Sequence, residues 1–299
     1  MTAAPRRIGL AASGLHRDGR DGALARLVRR HERAIRVELH LELFAVGRTH
    51  GALRAQGLLD GYAGLHALPE RREGGLMRLA AMLVDEDPAR ALDAIVYLLD
   101  PDDPASLFPE GLALKRQCVV HGKPFISTYA HAEEWIELER VLAGWPGDPL
   151  LDERFDPARH AIALVAHDAR KDAMVAFARR HFALLSRFAK RYATGTTGTR
   201  LEALAVELGA PPAWVHKLRS GPLGGDAQLA ERVLDRAVSR VIFLEDPHVA
   251  RQHEADIQLL ERAARIATGF AGCVNDPASA ERWAEGFSRR ARAHAGTVD

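Results

Sequence analysis

Ile162-Ala-Leu-Val-Ala-His-Asp-Ala-Arg-Lys171 changes character halfway along. Five apolar residues give way to His167-Asp168, and a helical pattern follows in which Met174, Phe177, Ala178, Phe182 and Leu185 share one stripe. A short unbroken apolar run fits a strand covered on both faces, and strand-loop-helix is the unit of a parallel sheet. Further along, Tyr192-Ala-Thr-Gly-Thr-Thr-Gly198 combines two glycines and three threonines with no charge. Glycine lets amides turn inward and threonine adds hydroxyl donors, which suits a loop that wraps an anion. Such a stretch also serves as a plain turn. Ser220-Gly-Pro-Leu-Gly-Gly-Asp226 and Val241-Ile-Phe-Leu-Glu-Asp-Pro247, with the run on through His253 to Asp256, complete the series.

The first half of the chain has the same order of features. Ile8 to Ala12 corresponds to Ile162 to Ala166, Phe44 to His50 corresponds to Tyr192 to Gly198, and Gly74-Gly75 corresponds to Gly224-Gly225. Val96 to Pro101 likewise stands opposite Val241 to Pro247, Arg116 opposite Arg262, and Ala132-Glu-Glu-Trp135 opposite Ala280-Glu-Arg-Trp283. The alternation from Val37 to Val46 predicts a strand leading into the Phe44 segment. A period of roughly 150 residues is that of a duplicated domain and is too long for a solenoid repeat. The turn-forming stretch from Gly144-Trp-Pro-Gly-Asp-Pro149 to Asp156-Pro157 predicts a linker. The expected organisation is therefore α/β, two tandem doubly wound parallel-sheet domains over residues 1–145 and 158–299. Ligands of such sheets bind beyond the carboxyl ends of the strands, where the distinctive loops should converge.

Composition excludes several classes of function. A formal net charge of +1 over 299 residues supplies no electrostatic footprint for nucleic acid or an anionic membrane. Cys118 and Cys273 lack metal-ligand or CxxC spacing and read as reduced core thiols of a cytoplasmic protein. Ile8 to Leu15 is too short to cross a membrane and is read as a first strand.

Each motif also has an ordinary structural use. Asp168 can cap a helix with Lys171 in solvent, Ser220 to Asp226 can be a turn and a cap, and a lone histidine after a strand is commonly a surface residue. Taken together, the four strand-end loops supply hydroxyl and lysine donors for a phosphate, carboxylates and a histidine. Proton abstraction beside a carbonyl on a phosphorylated substrate requires that set.

IALVAHDxxK, YATGTTG, SGPxGGD and the run from Asp246 to Asp256 occur in order, and the second half, from His160 to about Asp276, resembles methylglyoxal synthase through them. The resemblance implies conversion of dihydroxyacetone phosphate to methylglyoxal and inorganic phosphate by a cytoplasmic lyase, with no metal or organic cofactor. Inorganic phosphate would be both product and candidate inhibitor. Carried over residue by residue, Asp226 would be the base. His253 and His167 would donate hydrogen bonds to the substrate oxygens, and Asp168, Asp246 and Asp256 match the family's other acidic positions. Lys171, Thr194, Gly195, Thr196, Thr197, Ser220 and the backbone at Gly221 would cradle the phosphate. The resemblance also implies a homo-oligomer, by analogy with the family's hexamers.

Two features depart from the family. Its Thr-Asn pair after the last strand reads Cys273-Val-Asn-Asp276 here, and its C-terminal phosphate-binding arginine has only Arg289, Arg290 and Arg292 as candidates. The first half has Ser13 and Gly14 opposite His167 and Asp168, and Leu76 opposite Asp226. It is therefore expected to be a degenerate copy kept for packing or regulation. The competing readings are a regulatory module that binds a phosphorylated small molecule, and a scaffold of two inert domains. The retention of both carboxylates and the phosphate loop in one half alone favours the lyase.

Overall fold

Neighbouring residues of a strand point to opposite sides of its sheet, so a strand buried on both sides must be apolar throughout. The computed structural model describes residues 6–104, 108–248 and 254–295. In it, β1 (Arg7–Ala12) sends Ile8, Leu10 and Ala12 to one core and Ala11 to another. The first core is closed by Leu24, Leu27 and Val28 of α2 (Ala23–Arg33) and by Trp135 and Ile136 of α6 (Tyr129–Leu142). The second is closed by Leu76, Leu79 and Leu83 of α4 (Gly75–Leu83) with Leu114 and Cys118 of α5 (Pro109–Val120). A short α1 (Gly14–Arg17) and α3 (Gly47–Ala55) complete the helices described in this half.

The chain falls into two units, Met1–Trp145 and Pro146–Asp299. The sheet of the first unit also contains β2 (Glu42–Val46), β3 (Leu65–Leu68), β4 (Ala94–Leu98) and β5 (Phe125–Ile126), in the order β3-β2-β1-β4-β5. In the second unit β6 (Ala161–Ala166), β7 (Lys190–Thr194), β8 (His216–Leu218), β9 (Arg240–Leu244) and β10 (Gly272–Val274) run β8-β7-β6-β9-β10. Every pairing is parallel. The two sheets therefore share one strand order, with the first strand of each at the centre.

The helices of the second unit are α7 (Lys171–Arg180), α8 (Phe182–Ser186), α9 (Gly195–Glu207), α10 (Gly225–Leu234), α11 (Glu254–Ile266) and α12 (Pro277–Ala295). Ala161, Ala163 and Val165 of β6 meet Leu229 and Val233 of α10 and Leu260 and Ala263 of α11. The intervening Ile162, Leu164 and Ala166 are buried as well, and α7 and α9 lie against β6. Cys118 and Cys273 are buried free thiols. Among the described residues no helix is long and apolar enough to cross a membrane.

Two expectations are corrected. The Val37–Val46 alternation is strand only from Glu42, because Ala34–Glu38 continues α2 as a π-helical turn. Ala34 and Ile35 extend the buried stripe of α2, and the Leu41 amide donates to the Ile35 carbonyl at 2.9 Å before the strand begins. The turn-rich stretch after Gly144 is also more than a spacer. Pro149–Leu151, Glu153–Phe155 and Pro157–Arg159 are single 3-10 turns that bury Leu151 and Phe155. Arg290 of α12, only 2% exposed, donates to the Asp148 carbonyl at 2.8 Å and to Asp152 at 2.5 Å, with its guanidinium 5.3 Å from the Phe155 ring centroid.

Gly225 stands where a Cβ would lie 1.9 Å from the carbonyl oxygen of Arg219. Gly225→Ala should destabilise the second unit by about 1–3 kcal/mol through overpacking. Gly269→Ala, at a position with open space, should leave the melting temperature within a degree or two of the parent, in the range of ordinary surface changes. Arg290→Ala should cost about 1.5–3 kcal/mol, the worth of charged hydrogen bonds. Thermal and urea unfolding of the full chain checks all three.

Candidate active site

In a parallel sheet all carboxyl ends emerge at one edge, and adjacent strands lie about 4.8 Å apart. His167 follows β6, Thr194 ends β7, Ser220 comes two residues after β8, and Asp246 two residues after β9. β6 is flanked by β7 and β9. The loops carrying His167, Thr194 and Asp246 are thus contiguous along one edge, with Ser220 one strand further out.

The Thr194–Gly198 stretch is not the free loop its composition suggests. Thr194 closes β7 and Gly195 opens α9, so Thr196 and Thr197 occupy the helix's first turn. The turn is that abrupt because Gly195 adopts φ +32°, and a Cβ there would lie 2.6 Å from the Cα of Ser220. The Gly195 amide donates to the Arg219 carbonyl at 3.1 Å, tying the start of α9 to the end of β8. The first turn of α9 has no acidic residue and no side-chain cap, leaving the positive end of its dipole available to an anion. Thr196 is exposed and Ser220 half-buried, whereas Thr194 and Thr197 are buried.

From Ser220 the chain makes one 3-10 turn, passes Gly224 at φ +92° and enters α10. Asp226 is the second residue of that helix and is half-buried. A Cβ built on Gly221 would lie 2.7 Å from Asp226 Oδ2, so the carboxylate rests directly over the Gly221 backbone. Any other residue at 221 would push it away.

His167 is aligned from two sides. Its Nδ1 accepts from the Asp246 amide at 2.8 Å, and its ring meets Phe243 edge-on, with centroids 5.0 Å apart. An imidazole whose Nδ1 is an acceptor carries its proton on Nε2, so neutral His167 is an Nε2–H donor. Asp246 is buried, and its Oδ1 accepts from the His248 amide at 3.0 Å, closing the turn after β9. Asp168 does not cap α7: it begins the 3-10 turn Asp168–Arg170, and its exposed carboxylate pairs with Lys171. That bond, with the positive charge of Lys171, holds the Asp168 carboxyl below its ordinary range. Lys171 itself is largely covered, at 16% side-chain exposure, and so is no solvated surface residue.

His253 lies outside the described residues. Asp256 falls within α11, and its side chain is likewise outside them. Of the C-terminal arginines, Arg289 pairs with Glu285 one helical turn away, Arg290 is spent on Asp148 and Asp152, and the Arg292 side chain is not described. Among the described residues no group of His, Cys, Asp and Glu side chains has the arrangement of a metal site.

Sequence reasoning missed one buried polar group beside this edge. Asn275 Nδ2 donates to Glu245 Oε1 at 2.5 Å and to Glu261 Oε1 at 3.0 Å, and all three residues are buried. The Glu245 amide in turn donates to the Asn275 carbonyl at 3.1 Å. The cluster ties the end of β9 to α11 and to the residue after β10. Its only sequence signal was an acid, Glu245, where an apolar strand should still be running. Next to it Asp276 accepts from the Ser279 amide at 2.9 Å, and burial pushes its carboxyl up.

The first unit has the same main-chain frame with other side chains. Gly47 donates to the Pro69 carbonyl at 3.1 Å, as Gly195 does to Arg219, and Gly74 at φ +87° precedes α4 as Gly224 precedes α10. Ser13 Oγ accepts from the Asp100 amide at 3.2 Å, where the second unit uses His167. Leu76 stands second in α4 as Asp226 stands second in α10.

No family model matches the chain. It is 47% identical over 109 residues to methylglyoxal synthase of Thermus thermophilus, covering 36% of this chain and 79% of that protein. With methylglyoxal synthase of Cupriavidus taiwanensis the identity is 43% over 133 residues, covering 44% and 93%. A crystal structure of methylglyoxal synthase from Elizabethkingia anophelis is similar at 36% identity with a TM-score of 0.34, covering 42% of this chain and 76% of that one. Identity at this level over most of the length of such relatives shows that the chain contains a methylglyoxal synthase-like domain and belongs to the methylglyoxal synthase family.

Proposed function

We propose that the second unit, over residues 158–299, is a methylglyoxal synthase that converts dihydroxyacetone phosphate to methylglyoxal and inorganic phosphate. The observation that carries this reading is the Asp226 carboxylate lying over Gly221, on the loop that also supplies Ser220 and abuts Gly195. Base and phosphate cradle thus share one short turn.

Asp226 takes a proton from the hydroxymethyl carbon beside the substrate carbonyl. The electron pair passes to the carbonyl oxygen and forms an enediolate. His167, through its Nε2–H, and His253 donate hydrogen bonds to the substrate oxygens as that charge grows. Asp246 sets the ring of His167 through its amide, and Asp256 orients His253 or assists proton transfer. Lys171, Thr194, Gly195, Thr196, Thr197, Ser220 and the Gly221 backbone hold the phosphate, with Lys171 exchanging its contact to Asp168 for the dianion. When the C–O bond to phosphate stands perpendicular to the enediolate plane, the returning electron pair expels inorganic phosphate. The enol left behind tautomerises to methylglyoxal. A rigid cradle enforces that angle better than one mobile cation would.

The first unit, residues 1–145, is on this reading a degenerate copy of the same domain. The common strand order and the paired contacts at Gly47 and Gly195 support duplication. Loss of the base position to Leu76 supports degeneracy. The reading brings with it a cytoplasmic, self-associating enzyme.

Asp226→Asn should lower kcat for methylglyoxal formation by about 10³-fold or more, the order expected when a general base is removed. Its binding of inorganic phosphate should stay near that of the parent. Lys171→Ala should act mainly on KM, raising it about tenfold or more through one lost charge-assisted contact. Colorimetric assay of methylglyoxal from dihydroxyacetone phosphate measures both. A parent chain that binds phosphate without turnover would instead identify a regulatory module.

A further inference from the structure

We propose that the cleft of the first unit is a binding site for a small phosphorylated anion, which it holds without turning over. The proposal goes beyond the lyase reading, since it concerns the other unit and other residues. At the carboxyl edge of the first sheet lies a cavity of about 640 Å³, within the size range of metabolite sites. Arg17, Arg48, Arg71 and Arg72 line it, together with Thr49 and Leu76.

These residues stand on three different strand ends. Arg17 ends α1 after β1, Arg48 is the second residue of α3 after β2, and Arg71 and Arg72 follow β3. In the common frame Arg17 takes the place of Lys171, Arg48 that of Thr196, and Arg71 that of Gly221. Neutral or flexible donors have thus been replaced by guanidinium groups, which stay charged at every physiological pH. Arg17 is 8% exposed and is gripped in a bidentate pair by Asp18, at 2.7 and 2.9 Å. Arg48 is exposed to solvent, and its charge, after the Arg17 hydrogen bond, helps hold the Asp18 carboxyl below its ordinary range. The guanidinium of Arg71 sits over the Phe108 ring at 4.9 Å from its centroid. Thr49 Oγ1 accepts from the Ala12 amide at 3.1 Å, which leaves its hydroxyl proton for another acceptor.

The carboxylates nearby are already engaged. Glu70 closes a capping box with Glu73 and pairs with Arg72 at 3.1 Å, while Asp18 serves Arg17. Asp103 also lines the cavity. Guanidinium groups that arrive from separate strand ends match a tetrahedral anion with several oxygens better than a planar carboxylate, which one arginine satisfies bidentately. Val46, Leu76 and Tyr97 give the rest of the ligand an apolar wall. Leu76 in the place of a base and Ser13 in the place of a histidine leave the site able to hold such a ligand and unable to deprotonate it.

Isothermal titration of the full chain with inorganic phosphate tests this, using the parent, Arg48→Glu and Lys171→Ala. The expected result is two phosphates per chain in the parent. Arg48→Glu should weaken one of them tenfold or more and leave turnover of dihydroxyacetone phosphate in the absence of phosphate unchanged. Lys171→Ala should spare that same site. Arg48→Ala replaces the reversal should the latter lower the melting temperature. A parent whose only phosphate is lost in Lys171→Ala overturns the proposal, as does an Arg48 variant that binds phosphate like the parent. Loss in Arg48→Glu with none in Lys171→Ala upholds it while overturning the phosphate cradle assigned to the second unit.

Discussion

One carbonyl oxygen organises the carboxyl edge of the second unit's sheet. The oxygen of Arg219 accepts from the Gly195 amide at 3.1 Å and lies so near Gly225 that no side chain fits between them. Through this one atom the end of β8 fixes the entry of both α9 and α10. The helix that carries the threonines and the helix that carries Asp226 cannot shift independently. Binding and catalytic groups must be held to within a fraction of an ångström to be useful, and rigid helix entries provide this better than loops. The oxygen of Pro69 plays the same part in the first unit, 3.1 Å from the Gly47 amide and against Gly75.

That frame explains which substitutions the chain accepts. Gly75, Gly195 and Gly225 sit where a Cβ would strike backbone, and backbone cannot swing aside as a side chain can. The positions around them differ between the units, with Asp226 against Leu76, Thr196 against Arg48 and Ser220 against Glu70. Architecture resides in main chain and glycine, chemistry in the side chains mounted on it.

Much of this was legible in the sequence. Apolar runs marked β1, β4, β6 and β9 because a strand covered on both faces has no room for polar residues. The paired glycines were visible because each pair needs two of them, the first for its positive φ and the second for lack of room for a Cβ. What could not be read was the path of chain between signals. Gly195 to Gly198 has the composition of a loop, yet only the tertiary contact at Ser220 makes it a helix entry. Val37 and Glu38 fall within the alternation that reads as a strand but belong to the π-helical turn that continues α2. Arg290 looked like a phosphate ligand because charge alone does not tell what it meets, and it meets Asp152 and the Asp148 carbonyl. The Glu245–Asn275–Glu261 cluster joins residues far apart in the chain, and no local pattern announces it. His167 was legible as a residue of the loop after β6. Its tautomer needed the Asp246 amide.

His167 in one unit and Ser13 in the other hold the same main-chain partner with different chemistry. Both side chains offer one acceptor to the amide two residues beyond the neighbouring strand, at 2.8 Å in one unit and 3.2 Å in the other. The amide is satisfied either way, so the fold does not register the exchange. Either side chain can therefore stand at the end of the central strand without cost to the turn that follows its neighbour, and the choice between an imidazole and a hydroxyl is left to whatever that edge meets.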